Sequence, residues 1–240
     1  GYDTKLSAFE ILLPALIANF QKDAQAQEPK FKDLEAPIQV LKNWNYYSNV
    51  NSVATTLANE WAFKLNPILQ KVYIDEGEKD QVENMSEFAK TAGIDDMLPQ
   101  LREVVQELQA KFGKWEIPWG DINRFQRPSG DIDLTYDDNK ESLAMGTASV
   151  LWGSLPAFKS SYQNNSKKRY GYNGNSFICA VEFGPKIKAK SLLAGGNSGD
   201  PNSKHFFDQA KMYQNAQFKD VLFYKEDVQK NAEKTYHPGE

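Results

Sequence analysis

At 240 residues, with 40% hydrophobic and 25% charged residues, the chain has the balance of an ordinary globular protein and enough length to bury a sizeable core. A net charge of -4 and the lack of any basic stripe remove the electrostatic case for nucleic acid, and no apolar run reaches the roughly 20 residues that span a bilayer as a helix. A mean hydropathy of -0.62 is polar for a self-contained domain and suits an open surface or a chain that expects a partner. Cys179 is the single cysteine, which rules out an intrachain disulfide and a cysteine-based metal cluster. Within its apolar segment it is expected to behave as a small buried hydrophobe. Gly1-Tyr2-Asp3 carries neither the charged nor the apolar region of a signal peptide, so an export signal is expected upstream if the parent is exported.

Residues 1–113 read as helical. Leu6, Phe9, Leu13, Leu16, Ile17 and Phe20 recur at spacings of three and four, one buried helix face, with Ser7 and Glu10 placed as a capping box. Pro14 predicts a kink or a restart. Ser52 is the N-cap of a second helix with a Val53, Leu57, Trp61 and Leu65 stripe, expected to end by Pro67. A third helix is predicted over 81–92, with Val82, Met85, Phe88 and Ala89 inward and Gly93 as its stop. The fourth uses Leu98, Leu101, Val104, Val105, Leu108 and Phe112 and stops at Gly113, leaving Glu103, Glu107 and Lys111 on a solvated face.

Residues 114–240 read differently. Pro118, Gly120, Pro128 and Gly130 break the stretch 114–141 into loop and short strands. Strands are expected over 145–152, 176–183, 187–193 and 221–224, with Gly184-Pro185 as a short antiparallel connection. Asn164–Lys168 is a polar loop; its sequon, and the one at Asn84, match the glycosylation pattern by composition only.

Glu182 is the one carboxylate in the apolar run Phe177–Phe183. A strand of that kind is normally covered on both faces, so the carboxylate must pair, protonate or reach a polar cavity. Three readings stand open: pairing with Lys186, Lys188 or Lys190, solvent exposure at the strand end, or orientation of a catalytic histidine or amine. Gly195–Pro201 followed by Ser203 reads as a strand-to-helix turn, with Ser203 as N-cap, Asp208 in the opening turns and His205 as a structural hydrogen-bonding residue. Its spacing matches neither a P-loop nor a dinucleotide fingerprint. His205 and His237 are the only histidines, which argues against a histidine-based metal site. Trp115, Trp119, Tyr170 and Tyr172 could stack on sugars, and Asp131, Asp133, Asp137 and Asp138 could supply paired carboxylates, so a carbohydrate- or protein-binding module is the alternative reading.

Several motifs in series resemble the penicillin acylase family of N-terminal nucleophile amidohydrolases, and look closer to its acyl-homoserine-lactone and cephalosporin acylase branches than to the enterobacterial penicillin G acylase. Leu41-Lys42-Asn43-Trp44-Asn45-Tyr46 is similar to the family's Leu-x-x-Trp-Asp-Gly, with Asn45 and Tyr46 replacing Asp and Gly. Pro118–Arg124 resembles its Pro-Trp-Gly…His-Arg, with Trp119 kept and Asn123 in the histidine position. Gly196-Asn197-Ser198-Gly199 resembles Gly-Gln-Ser-Gly, and Ser203-Lys204-His205…Asp208-Gln209 resembles Ser-Pro-His…Asp-Gln. The resemblance implies an α+β chain: a helical excursion (1–113) and the last strands and helix of an αββα core (114–240). It implies a parent that hydrolyses the amide of an N-acylated small molecule through a β-chain N-terminal serine, its own α-amine and an oxyanion-hole asparagine. All of these are expected upstream, leaving this C-terminal part inactive alone, since residue 1 is Gly1. It implies the upstream part of the β chain and the α chain as partners, calcium ligands that lie upstream with no cofactor held here, and a periplasmic or secreted location. Glu182 matches a late glutamate that orients a histidine near the nucleophile in some cephalosporin acylases.

Overall fold

The computed structural model describes residues 2–76, 80–129, 135–163, 166–237 and 239, with the side chains of 70–76 also outside the description. The fold is α+β and divides into two compact units, 1–174 and 175–240. The change of composition at 113/114 therefore falls inside the first unit, where helices give way to strands.

The first unit opens with α1 (Ala8–Ala24), α2 (Glu35–Lys42) and α3 (Val53–Glu76), followed by α4 (Gln81–Thr91) and α5 (Ile94–Phe112). Phe9, Leu12, Leu13 and Leu16 of α1 and Leu57, Trp61 and Leu65 of α3 are fully buried with Met97, Leu98 and Leu101 of α5. Burial of these apolar faces holds helices that local propensity alone would break. Pro14 and Pro67 accordingly sit inside continuous helices, where a kink and a stop were expected. Ser7 makes no side-chain cap, and Glu10 instead reaches Lys5 at 2.8 Å. Ser52 does cap α3, its Oγ accepting from Thr55 N–H at 3.0 Å. Asp80 caps α4 through Val82 and Glu83 N–H, and on that helix Met85 and Phe88 are buried whereas Val82 is exposed. Gly93 does not end α4; it opens α5, donating its N–H to Asp96 Oδ2 at 2.7 Å. Gly113 ends α5 in the left-handed conformation that glycine adopts without penalty.

A four-stranded sheet completes this unit, in the order β2 (Leu143–Ala144), β1 (Asn123–Phe125), β4 (Arg169–Gly174) and β3 (Phe158–Tyr162), with α6 (Trp119–Ile122) leading into β1. β1 pairs parallel with β4 over Asn123↔Arg169 and Arg124↔Tyr170, and antiparallel with β2. No strand forms over 145–152: β2 ends just before this stretch, which closes in a 3₁₀ turn at Val150–Trp152 where Trp152 turns into the core against Phe9 and Phe63. β3 and β4 were not foreseen; Gly171 allows them to pair, since a Cβ there would lie 2.1 Å from the Phe158 ring.

The second unit is a three-stranded antiparallel sheet in the order β5 (Phe177–Glu182), β6 (Lys188–Leu193), β7 (Lys219–Asp220), with α7 (Ala210–Gln214) packed on β6 and α8 (Lys225–Lys230) near the end. The β5–β6 hairpin pairs throughout, from Phe177↔Leu193 to Glu182↔Lys188. Residues 221–224 are not a strand; the short pairing at Lys219 and Asp220 precedes them, and Val221, Leu222 and Phe223 are exposed. β5 is an edge strand and lies open: Phe177 is 59% exposed, Val181 44% and the adjoining Phe183 83%. Cys179 is exposed with them, which overturns the expectation that it is buried.

Candidate functional site

The motif residues gather into two clasps, one in each unit. In the first, Trp44 packs on Phe9 with ring centroids 5.5 Å apart, and its indole N–H donates to Tyr47 O at 3.0 Å. Tyr46, in the position where the family pattern has glycine, holds φ at +67°. A left-handed conformation costs a bulky L-residue about 1–2 kcal/mol, which gives the physical reason for glycine there. Trp119 is buried, with its backbone N–H on Ser52 O at 3.1 Å and its indole N–H on Thr147 O at 3.2 Å. Gly120 N–H follows onto Val50 O at 2.8 Å, and a Cβ at Gly120 would lie 2.7 Å from Val50 Cβ. Asn123 is fully buried and uses both amide hydrogens, on Met145 O and Thr147 O, while its Oδ1 accepts from Ser160 Oγ. Arg124 spans Gly120 O and Ser142. The Pro-Trp-Gly…Arg stretch thus ties the start of α3 to the 142–147 segment.

In the second unit, Gly195–Pro201 and Ser203–Gln209 are fastened to each other. Ser198 N–H donates to His205 O at 3.0 Å, and Gln209 N–H to Gly195 O at 2.8 Å. His205 Nδ1 lies 2.8 Å from Asp208 Oδ2, and Gly196 packs against both residues. Ser203 is not a helix cap: its Oγ accepts from His205 N–H two residues on, at 3.2 Å, in a local turn. Residues 203–209 are turns, and α7 begins only at Ala210, because the amide of Gln209 is committed to Gly195 O. Asn197 in this clasp is exposed. The His205–Asp208 pair, with both side chains partly exposed, fastens the turn from within residues 203–209.

Glu182 lies at the end of the open β5 edge. Its side chain is 72% exposed and its carboxylate is 3.8 Å from Lys188 Nζ, its register partner. The covered strand inferred from the apolar run is absent here; the Glu182 carboxylate is exposed and within loose reach of one of the three lysines expected as partners. A surface pair of this kind contributes at most about 1 kcal/mol.

Sequence reading missed a buried charge cluster in the first unit. Arg169 of β4 donates through Nη1 to Glu60 Oε1 of α3 at 3.1 Å and through Nη2 to Ser160 O at 2.9 Å. Its guanidinium lies 4.2 Å from the Phe63 ring centroid and 4.9 Å from that of Tyr162. Lys111 Nζ sits 3.6 Å from the centroid of the Tyr162 ring, so this lysine is not on a merely solvated helix face. Its neighbours Glu103 and Glu107 both hold Lys64, at 2.7 and 2.5 Å. Burial pushes the Glu60 carboxyl above the usual range, against the pull of Arg169, Lys111 and the Tyr162 hydroxyl. The only sequence signal was a glutamate one position before Trp61 in an apolar helix.

The sugar-binding constellation does not assemble among the described residues. Trp119 and Tyr170 are interior, Tyr170 stacking on Tyr136 at 4.8 Å, and Asp131 and Asp133 lie outside the described residues together with Asn164 of the sequon. Asp138 is held by Ser166 Oγ, Lys167 N–H and Tyr170 Oη at 2.6–2.9 Å. Desolvation works to raise its carboxyl, but these three donors prevail and hold it below the ordinary aspartate range. A depressed folded-state value means that stability is present above the unfolded value and is lost as pH falls through the folded one. The Asp138→Asn variant should lack this part of the acid transition; urea midpoints between pH 6 and pH 3 that drop equally in both proteins would refute it. No group of three or more His, Cys, Asp or Glu side chains that could hold a metal occurs among the described residues. No helix is long and apolar enough to cross a membrane among them.

The sequence model of the penicillin amidase family matches residues 2–230, so the chain belongs to that family. Among solved structures it is similar to a thermostable penicillin G acylase from Alcaligenes faecalis in an orthorhombic form, with 14% identity and a TM-score of 0.45. The match covers 98% of this chain and 47% of that one, so this chain spans about half the acylase's length.

Proposed function

We propose that this chain is the C-terminal part of the β chain of an amidohydrolase that cleaves N-acylated small molecules of the penicillin, cephalosporin or N-acyl-homoserine-lactone type, working in the periplasm or outside the cell. The observation that carries the reading is family membership over nearly the whole chain, residues 2–230. The open β5 edge supports it, since an edge strand that exposes Phe177, Cys179 and Val181 offers an unpaired, largely apolar surface to a further chain. The serine nucleophile, its amine base and the oxyanion donors belong to the remainder of the enzyme, and this chain alone is inactive. That remainder and the α chain are its partners. Glu182, exposed at the end of β5 and only loosely paired with Lys188, orients a histidine beside the nucleophile once the two parts meet.

Reconstitution tests this. This chain is mixed with the separately produced remainder of the parent, and release of nitroaniline from N-acyl nitroanilides is followed, with each part alone and Glu182→Gln as comparisons. Hydrolysis only on mixing supports the reading, and its loss with Glu182→Gln in an intact complex supports the carboxylate's role. A stable complex without hydrolysis of any acyl amide overturns it.

A further inference from the structure

We infer that the Glu60–Arg169 cluster is a register key for the four-stranded sheet, selecting one seating of β4 on β3 and α3 without adding net stability. The ladders that β1 makes are very short, two registered pairs to β4 and two to β2, and the β3–β4 pairing shifts register between Lys159 and Ser160. Short or irregular ladders specify register weakly, and a slip of one residue turns every side chain to the opposite face. Such a slip would carry Arg169 away from Glu60, leaving a buried carboxylate without its ion-pair partner and with only Lys111 and the Tyr162 hydroxyl to offset it. In the observed register the guanidinium meets four requirements at once: Glu60 Oε1, Ser160 O, the Phe63 ring and the Tyr162 ring. These come from α3 and β3 together, so only one alignment of β3, β4 and α3 satisfies them. Arg169 Nε is nevertheless buried without a hydrogen-bond partner, as expected of a pair selected for placement and incompletely solvated by the protein. An ion pair taken out of water roughly breaks even against apolar side chains of similar volume, whereas a slipped register that strands one charge is strongly disfavoured.

Three variants of this chain test the inference: Glu60→Gln, Arg169→Met, and the double replacement Glu60→Leu with Arg169→Met. The expected result is a lower urea midpoint in each single variant and a midpoint at or above the native one in the double variant. In that double variant amide exchange over 123–125, 158–162 and 169–174 should accelerate about tenfold relative to α1 and α5, the mark of a sheet without a unique register. Native amide protection across those strands in the double variant overturns the inference. So does a double variant that is as unstable as the singles or fails to fold, since the pair would then be a net source of stability.

Discussion

Replacing Trp61 with alanine lowers the unfolding free energy of the first unit by about 3–5 kcal/mol. Trp61 is fully buried between α3 and α5, and its indole N–H donates to Met97 O at 3.1 Å. The substitution removes the largest side chain of the α3 stripe and leaves a void that Leu57, Leu65 and Leu101, each already packed without exposure, are poorly placed to fill. It also takes a donor from the Met97 carbonyl, which adds to the loss. Urea unfolding followed by the helical circular dichroism signal reads this directly. A loss under about 1 kcal/mol would mean that α3 and α5 collapse onto each other freely, contrary to close packing in protein cores.

Gly196→Ala opens the clasp of the second unit and costs about 3 kcal/mol, the upper range for overpacking. A Cβ at this position would lie 2.1 Å from His205 O and 2.7 Å from Asp208 Oδ1. The first of these is backbone and cannot rotate aside. The strand-to-turn passage must therefore shift, and Ser198 N–H and Gln209 N–H lose their carbonyl acceptors. Faster amide exchange at Ser198 and Gln209, with α1 and α3 unchanged, is the expected signature. A variant with native exchange at both amides would show that the turn has room the distances deny. Gly199→Ala is the matched comparison, because nothing lies within 4 Å of a Cβ there.

These two residues illustrate what was legible in the sequence. Trp61 announced itself through the spacing of Val53, Leu57, Trp61 and Leu65, because helix burial repeats with a local period. Gly196 was legible only through its motif; that glycine is required by His205 O, nine residues away, is a tertiary fact. The prolines misled for a related reason: Pro14 and Pro67 break isolated helices, but packed apolar faces outweigh one missing hydrogen bond. Ser203 misled because its hydroxyl takes an amide two residues on instead of capping a helix. Glu60 and Arg169 were out of reach, since no local pattern pairs residues 109 positions apart. Glu182 stood out as the one carboxylate of an apolar run, and such a run is normally covered on both faces. In this chain β5 is apolar and open.

The exposure of Cys179 gives that open edge a chemical readout of its own. As the single cysteine of the chain, it places one thiol on β5, alternating along one face with Phe177 and Val181. Alkylation at this position is therefore a footprint of one surface only. Its rate measures how accessible that face of β5 is, so a thiol-reactive dye added in pulses reads any covering of the face without a substrate or an engineered label.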